Sequence, residues 1–122
     1  MMNIQESGQM YLETILVLSR EKANVRSIDV VNHTGYSKPS VSRAMGILKN
    51  GGMISIDPDG YIHLTDEGQR VAEEVYARHT ILAKALMLVG VSKETAEEDA
   101  CRIEHYISSE TVECLKRFIE NK

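Results

Sequence analysis

Apolar residues recur along most of the chain at intervals of three and four, the spacing that places side chains on one face of an α-helix. With the Ser, Thr, Gly and Pro residues at the ends of these stretches, the pattern predicts helices over residues 4–19, 28–33, 38–50, 66–89, 93–106 and 109–120. The predicted N-caps are Ser27, Ser37, Thr65, Ser92 and either Ser108 or Ser109. Two short apolar stretches, 53–56 and 61–64, flank the turn sequence Asp57-Pro58-Asp59-Gly60 and predict a two-stranded hairpin.

The order of these elements is typical of a winged helix-turn-helix followed by a helical region. A short turn that contains Gly35 joins the second and third helices, and the hairpin after the third helix corresponds to the wing. The predicted fold class is therefore mainly α. We expect a winged helix-turn-helix DNA-binding domain over residues 1–70 and an all-helical domain over residues 71–122.

The charge distribution favours two domains with different partners. The formal net charge of the 122 residues is −4, which as a global figure argues against a nucleic-acid-binding protein. Residues 20–56, however, carry six basic and two acidic residues, a net of +4, and the remaining residues carry a net of −8. A basic segment in an acidic chain indicates one surface for a polyanion and another with a different task, the alternative being an uneven solvated surface.

The predicted third helix has the side chains that recognition in the major groove of DNA needs. Its apolar face, with Val41, Ala44, Met45 and Leu48, would pack on the domain, and no acidic residue occurs between residues 38 and 50. The opposite face offers small residues, hydroxyls and basic groups. The candidates for base contact are Ser37, Pro39, Ser40 and Arg43, with Ser42 beside them, and the candidates for phosphate contact are Lys38, Lys49 and Arg26. We expect Tyr61 on the wing to reach the DNA backbone or a minor groove, although winged helices also serve as protein-interaction modules.

The acidic part of the chain carries a second chemistry. Spacings of three and four place Cys101, Glu104 and His105 on one face of the predicted helix 93–106, away from an apolar stripe that contains Ala100 and Ile103. A thiolate, a carboxylate and an imidazole together suit a divalent transition metal. The alternative is a small buried Cys beside two solvated polar residues.

Other helices offer further ligand types. His79 lies in the apolar stripe of the long helix, where it is either a hydrogen-bonded core residue or a ligand that points inward. Met10 and Glu13 share a face of the first helix and offer a thioether and a carboxylate, although Met10 alone would be assigned to core packing.

These residues resemble the iron-dependent repressor family, which contains diphtheria toxin repressor and the manganese transport regulator. The matching segments are 9–15, 37–48, Arg78-His79 and 100–105, within a match that extends over essentially the whole chain. The resemblance implies a homodimer that binds double-stranded operator DNA and represses metal-uptake genes when it is loaded with Fe(II) or Mn(II). It also implies that Met10, Cys101, Glu104 and His105 form the primary metal site, and that His79 and Glu13 hold a second metal that shares Glu104.

Two positions depart from the family pattern at the ancillary site of its iron-type members. Ala83 stands where the pattern has Glu, and Glu97 stands where it has His, so either Glu97 or Glu13 is expected to complete a second site. The third, SH3-like domain of longer members is expected to be absent.

The combined hypothesis is a metal-dependent repressor, and the alternative is a winged-helix regulator that responds to a small molecule. Ligands in both domains would tie the DNA-binding domain to the dimer core, so that DNA affinity depends on metal. The helices that follow the wing offer apolar residues for a dimer interface: Leu82, Leu86, Met87, Val89, Val112, Leu115 and Ile119.

Other classes of protein fit the sequence less well. We expect no enzymatic activity, because the chain lacks a Ser/His/Asp set, a phosphate loop and a His-Glu-x-x-His motif. We also expect no membrane span, because no apolar run approaches about 20 residues. The two Cys residues form no disulfide framework, which favours the cytoplasm, and Cys114 is assigned to the core.

Overall fold

The computed structural model describes the backbone of residues 4–121 and the side chains of residues 7–121. The elements in chain order are α1 (Ile4–Glu21), α2 (Ser27–Thr34), α3 (Lys38–Asn50), β1 (Ile54–Ile56), β2 (Ile62–Leu64), α4 (Asp66–Leu88), α5 (Lys93–Ile103) and α6 (Ser109–Glu120). The mainly helical fold class is thus confirmed, and each predicted helix and strand is present with its ends shifted by at most a few residues. No helix in the described part of the chain is long and apolar enough to cross a membrane.

Local capping chemistry sets most of the helix starts. Ser37, Ser92 and Ser108 each accept a hydrogen bond from the backbone N–H three residues later, as predicted. The prediction that Ser27 caps α2 is wrong, because Arg26 occupies the N-cap position. There the Asp29 carboxylate accepts a 2.8 Å hydrogen bond from the Arg26 backbone N–H, so the acid inside the helix satisfies this end.

The chain folds as two compact units, Met1–Glu73 and Glu74–Lys122. In the first unit, helices α1, α2 and α3 pack around an apolar core whose fully buried members include Ile15, Val30 and Val41. The hairpin pairs β1 with β2 in antiparallel register, with Ser55 opposite His63. This arrangement of three helices and a hairpin is a winged helix-turn-helix.

Close packing also joins α4 to the start of the hairpin inside the first unit. The Thr65 hydroxyl accepts a 3.0 Å hydrogen bond from Gly68 N and donates to the Gly52 carbonyl at 2.7 Å. A Cβ placed on Gly68 would collide with the Met53 carbonyl group, so this turn of α4 requires glycine.

The second unit comprises the rest of α4 together with α5 and α6. Its small core contains Leu82, Ala83 and Ala100, with Ile107 and Leu115 packed against them. Of the residues proposed for a dimer interface, Leu82 and Val112 are buried within this unit, whereas Met87 and Val89 are exposed. An apolar surface therefore remains at the end of α4.

Candidate metal centre and candidate nucleic-acid interface

Glu104 is the most deeply buried charged residue of the second unit, with only 1% of its surface exposed. His79 Nδ1 lies 3.0 Å from Glu104 Oε2, and His105 Nε2 lies 3.4 Å from Oε1. Among the described residues none donates a hydrogen bond to Oε1, so one buried carboxylate oxygen is left unsatisfied. A buried acceptor of this kind is costly unless a proton or a cation satisfies it.

The backbone around Glu104 is held by Arg78. One guanidinium nitrogen of Arg78 donates a 3.4 Å hydrogen bond to the Glu104 carbonyl, and another lies 3.5 Å from a Glu74 carboxylate oxygen. Because Arg78 and His79 are consecutive residues of α4, one turn of this helix contacts both the backbone and the carboxylate of Glu104. The donor set of two imidazoles and a carboxylate suits a divalent transition metal, and the unsatisfied oxygen fits such an ion.

The position of Glu104 corrects the prediction for this segment. Helix α5 ends at Ile103, three residues before its predicted end, and Glu104 is the C-cap residue. Glu104 is buried on the same side as Ala96 and Ala100, whereas Ile103 is 38% exposed and Cys101 is exposed. Ala96 and Ala100 are thus buried as predicted, but the assignment of Ile103 to the apolar stripe is wrong, because the inward-facing position four residues after Ala100 is occupied by the Glu104 carboxylate.

Cys101 lies on the open side of α5. With His79, Glu97 and three other residues, Glu94, Glu98 and Arg102, it lines a shallow cavity of about 510 Å³. Ala83 is buried in the core of the second unit, and Glu97 is exposed. The thiol, carboxylate and imidazole predicted to share one helix face are therefore in different environments, exposed for Cys101 and buried for Glu104.

Met10 and Glu13 belong to the first unit. Met10 packs against the core of that unit, with its sulfur 3.7 Å from the Thr14 hydroxyl, as expected of a packing residue. Glu13 is half-buried on α1. Their roles as metal ligands stay predictions.

The exposed face of α3 carries the predicted DNA-contacting residues. Val41, Met45 and Leu48 are buried and Ala44 is half-buried, which confirms the packing face. The exposed residues are Ser37, Lys38, Pro39, Ser40, Ser42, Arg43 and Lys49. The Ser37 hydroxyl also caps α3, because Ser40 N donates to it at 3.3 Å, and the two hydroxyl oxygens lie 2.8 Å apart.

The wing contains contacts that the sequence patterns did not reveal. The Arg26 guanidinium lies over the Tyr61 ring, 4.6 Å from its centroid, and hydrogen bonding with Tyr61 raises the pKa of Arg26. His63 Nε2 lies 2.9 Å from Asp57 Oδ2, and this hydrogen bond lowers the pKa of Asp57. In the sequence, only the predicted turn Asp57-Pro58-Asp59-Gly60 bears on these contacts, because it places residues 57 and 61 at opposite ends of the hairpin loop.

Cys114 is a further correction. It was assigned to the core, yet its side chain is exposed on α6, where an Arg117 nitrogen lies 3.4 Å from its sulfur. The prediction followed from the usual burial of free cysteine, but the inward face of α6 is provided by Val112, with Leu115 packed against the core of the second unit.

Comparison with known proteins gives the same class of protein as the fold and the sites: a winged helix-turn-helix joined to a helical metal-binding unit. The family model described as iron dependent repressor, metal binding and dimerisation domain matches residues 65–122. That region contains α4, α5, α6 and the His79, Glu104 and His105 cluster.

Relatives extend the match to the winged helix-turn-helix. The transcriptional regulator MntR of Escherichia coli O6:H1 is 36% identical over 110 residues, which cover 90% of this chain and 71% of that protein. The diphtheria toxin repressor of Corynebacterium glutamicum is 25% identical, over 99% of this chain and 54% of its own length. The solved structure of the manganese regulator SloR superposes with a TM-score of 0.83 and 26% identity, and the match covers 94% of this chain and 54% of that one.

The chain belongs to the iron-dependent repressor family, as its resemblance in the N-terminal, recognition-helix and Cys-x-x-Glu-His segments predicted. It spans about half the length of the diphtheria toxin repressor and of SloR. The relatives named here are transcriptional regulators.

Proposed function

We propose that this chain is a homodimeric transcriptional repressor that binds double-stranded operator DNA when it is loaded with Fe(II) or Mn(II), and so controls metal-uptake genes. The observation that carries the proposal is the buried Glu104 carboxylate, flanked by His79 and His105, with one oxygen that receives no hydrogen bond within the described part of the chain. We place His79, Cys101, Glu104, His105 and the dimer interface in residues 71–122, and the DNA-binding surface in residues 1–70.

His79, Glu104 and His105 would hold the metal on the evidence of their contacts. Cys101, Met10 and Glu13 are added to the ligand set on family resemblance alone, and Cys101 is accessible to an ion at the surface of α5. When bound, a divalent cation supplies the positive charge that offsets the buried carboxylate. Because imidazole and thiolate ligands must be deprotonated, the metal affinity should fall as the pH falls.

The exposed face of α3 would contact DNA. We assign Ser37, Pro39, Ser40 and Arg43 to the base edges, with Ser42 beside them, because small side chains allow close approach and an Arg can address guanine. Lys38, Lys49 and Arg26 are placed toward phosphates. Bacterial DNA lies in the cytoplasm, so we place the protein there, and we assign it no catalytic activity.

Metal and DNA binding should be coupled. If metal raises the affinity for DNA by some factor, DNA must raise the affinity for metal by the same factor, because the two binding equilibria form one closed thermodynamic cycle. A dimer implies an operator with approximate two-fold symmetry.

The test is DNA binding by the purified protein with and without metal under anaerobic conditions, which protect Cys101 from oxidation. Operator duplexes would be selected from random sequences by the metal-loaded protein. We expect tight binding only with Fe(II) or Mn(II), and loss of the metal response in Glu104→Ala and His105→Ala. Binding that needs no metal and survives both substitutions would refute the metal-dependent switch, and it would favour a regulator that responds to a small molecule.

Two substitutions on α3 test the DNA surface separately. Arg43→Ala should relax the preference for one base pair, whereas Lys49→Ala should weaken binding to all sequences and reduce the salt dependence by about one phosphate contact. If both variants bind like the wild type, the assignment of α3 as the recognition helix is wrong.

A further inference from the structure

The contact between Arg26 and Tyr61 joins the start of α2 to the wing of the first unit. The guanidinium carbon lies 4.6 Å from the centroid of the Tyr61 ring. Arg26 is exposed and Tyr61 is half-buried, so the pair lies at the surface of the DNA-binding unit. A cation over an aromatic face is attracted by the negative potential of the ring.

The backbone on both sides of this pair is fixed by pairing of the adjacent residues. Val25 and Ile62 form an isolated antiparallel bridge, in which Ile62 N donates a 2.7 Å hydrogen bond to the Val25 carbonyl. Both side chains are buried, 2% exposed for Val25 and 3% for Ile62. Because successive side chains of an extended chain point in opposite directions, burial of these two turns Arg26 and Tyr61 outward together.

Asp57 holds Tyr61 from the other side of the wing turn. Tyr61 N donates a 2.9 Å hydrogen bond to the Asp57 carboxylate, and Asp57 N donates a 3.0 Å hydrogen bond to the Tyr61 carbonyl. The same carboxylate contacts His63, so its position is fixed as well. The ring under Arg26 is therefore part of an ordered hairpin.

The ring orients the guanidinium without neutralising it. Within the described part of the chain, no salt bridge joins Arg26 to a carboxylate, in contrast to Lys22, whose ammonium lies 2.9 Å from Asp29 Oδ1. Contact with the face of a ring leaves edge N–H groups of a guanidinium available for oxygen acceptors. Asp59 and Asp29 are near enough to act on Arg26 electrostatically, but neither forms a salt bridge with it, so a phosphate that binds there meets a positive charge that has already lost part of its rotational freedom.

We propose that Tyr61 is a positioning residue for DNA binding: its ring holds the Arg26 guanidinium in the orientation that contacts a DNA phosphate, so that the wing acts through Arg26. The proposal rests on the proposed DNA-binding function. In this proposal Tyr61 acts only through Arg26. An independent contact between Tyr61 and DNA would be a different role, and it would not depend on Arg26.

The experiment is a double-mutant cycle on the full chain loaded with Mn(II), read by binding to a duplex of random sequence over a series of salt concentrations. Arg26→Ala should weaken binding about five- to tenfold at about 0.1 M salt and reduce the slope of log K against log salt by about 0.9, the value for one phosphate contact. Tyr61→Leu should weaken binding about two- to fivefold, the range expected for an exposed cation–π contact, and it should also reduce the slope. In the Arg26→Ala background, Tyr61→Leu should have no further effect.

Matched variants separate positioning from a loss of charge or of fold. Tyr61→Phe keeps the ring face and removes only the hydroxyl that hydrogen-bonds with Arg26, so its slope should stay closer to that of the wild type than to that of Tyr61→Leu. Lys22→Ala removes one positive charge from a lysine that Asp29 already pairs, and it should change the slope less than Arg26→Ala does. Circular dichroism confirms folding, and Tyr61→Val, which strands favour, replaces Tyr61→Leu if the latter unfolds.

Equal effects of Tyr61→Leu with and without Arg26 would overturn the proposal, as would a Tyr61→Phe variant that behaves like Tyr61→Leu. Both outcomes leave the proposed function standing, provided that the wild type binds the duplex with a negative salt slope. A wild type without salt-dependent binding would instead contradict the proposed DNA-binding function itself.

Discussion

Glu104 combines the chemistry of a ligand with the position of a core residue. Its carboxylate is buried against His79 and His105 at the end of α5, where an apolar side chain would otherwise follow Ala96 and Ala100. Burial of a carboxylate costs free energy that an apolar residue would not cost. We therefore expect this carboxylate to lower the stability of the metal-free protein and a bound cation to offset that cost.

Glu104→Gln should separate these two effects, because it keeps the size of the side chain and removes its charge. We expect the metal-free variant to be at least as stable as the wild type in denaturant unfolding. The wild type should gain about 2.7 kcal/mol when free Mn(II) is at about one hundred times its Kd, and the variant should gain little. Glu110→Gln, which changes an exposed carboxylate of α6, is the control and should gain as the wild type does. An equal metal-induced gain in Glu104→Gln would show that this carboxylate is not a ligand.

The Asp57 carboxyl group makes the stability of the wing depend on pH. Hydrogen bonding with His63 and with the Tyr61 and Asp59 backbone lowers the pKa of Asp57 below its ordinary value of 3.8. A carboxyl group with a lowered folded-state pKa contributes stability above its unfolded pKa, and this contribution is lost as the pH falls through the folded pKa. The order of the wing should therefore weaken only in acid.

Unfolding free energies of Asp57→Asn and the wild type, measured from neutral pH to about pH 3, test this expectation. The variant should be less stable at neutral pH, and the difference should shrink below about pH 4. Asp59→Asn, which changes an exposed carboxyl group of the same turn, should show a smaller difference. A difference between Asp57→Asn and the wild type that is constant with pH would contradict the linkage.

At the scale of elements, the starts of several helices follow local chemistry, and the end of α5 does not. Ser37, Ser92 and Ser108 mark the starts of α3, α5 and α6 because a cap needs only a hydroxyl and an N–H three residues away. The end of α5 at Ile103 has no comparable local marker, since the Glu104 backbone keeps helical angles and the chain turns only after it. Where this helix ends, Glu104 contacts α4 through its carbonyl oxygen, which accepts from Arg78, and through its carboxylate, which lies beside His79.

Two glycines in helices should respond to alanine in opposite directions. Gly68 in α4 packs against the Met53 carbonyl group, so Gly68→Ala should lower the unfolding free energy by about 1–3 kcal/mol or more. Gly46 in α3 has no atom near an added Cβ, so Gly46→Ala should raise it by up to about 1 kcal/mol. Thermal and denaturant unfolding of the two variants provides the comparison, and equal changes would mean that the close approach at Gly68 is not tight.

At the scale of the whole molecule, the second unit leaves apolar surface uncovered. Met87 is 44% exposed, Leu88 50% and Phe118 49%, and a hollow of about 310 Å³ between the ends of α4 and α6 is lined by Lys84, Met87, Leu88 and Ile119. Exposed apolar clusters of this kind mark interaction surfaces. The matching family model is described as a dimerisation domain, which agrees with this surface.

Leu88→Glu should therefore weaken the dimer at least about tenfold, because it places a charge in an apolar interface. Sedimentation over a range of concentrations measures the change. Ile28→Glu is the control, since Ile28 is 44% exposed in the first unit and lies outside this surface. A Leu88→Glu protein that remains as dimeric as the wild type would move the interface elsewhere.

The order of elements, the helix starts and the packing face of α3 could all be determined from the sequence, because helical spacing, caps and turns act over a few residues. The tertiary structure decided which polar residues turn inward and which side chains meet. His79 and Glu104 are 25 positions apart, and nothing local to either residue encodes their contact. Arg26 and Tyr61 meet because buried Val25 and Ile62 pair beside them. Long-range contacts of this kind depend on the assembled core, and they bring a buried carboxylate beside two imidazoles and an arginine over an aromatic ring.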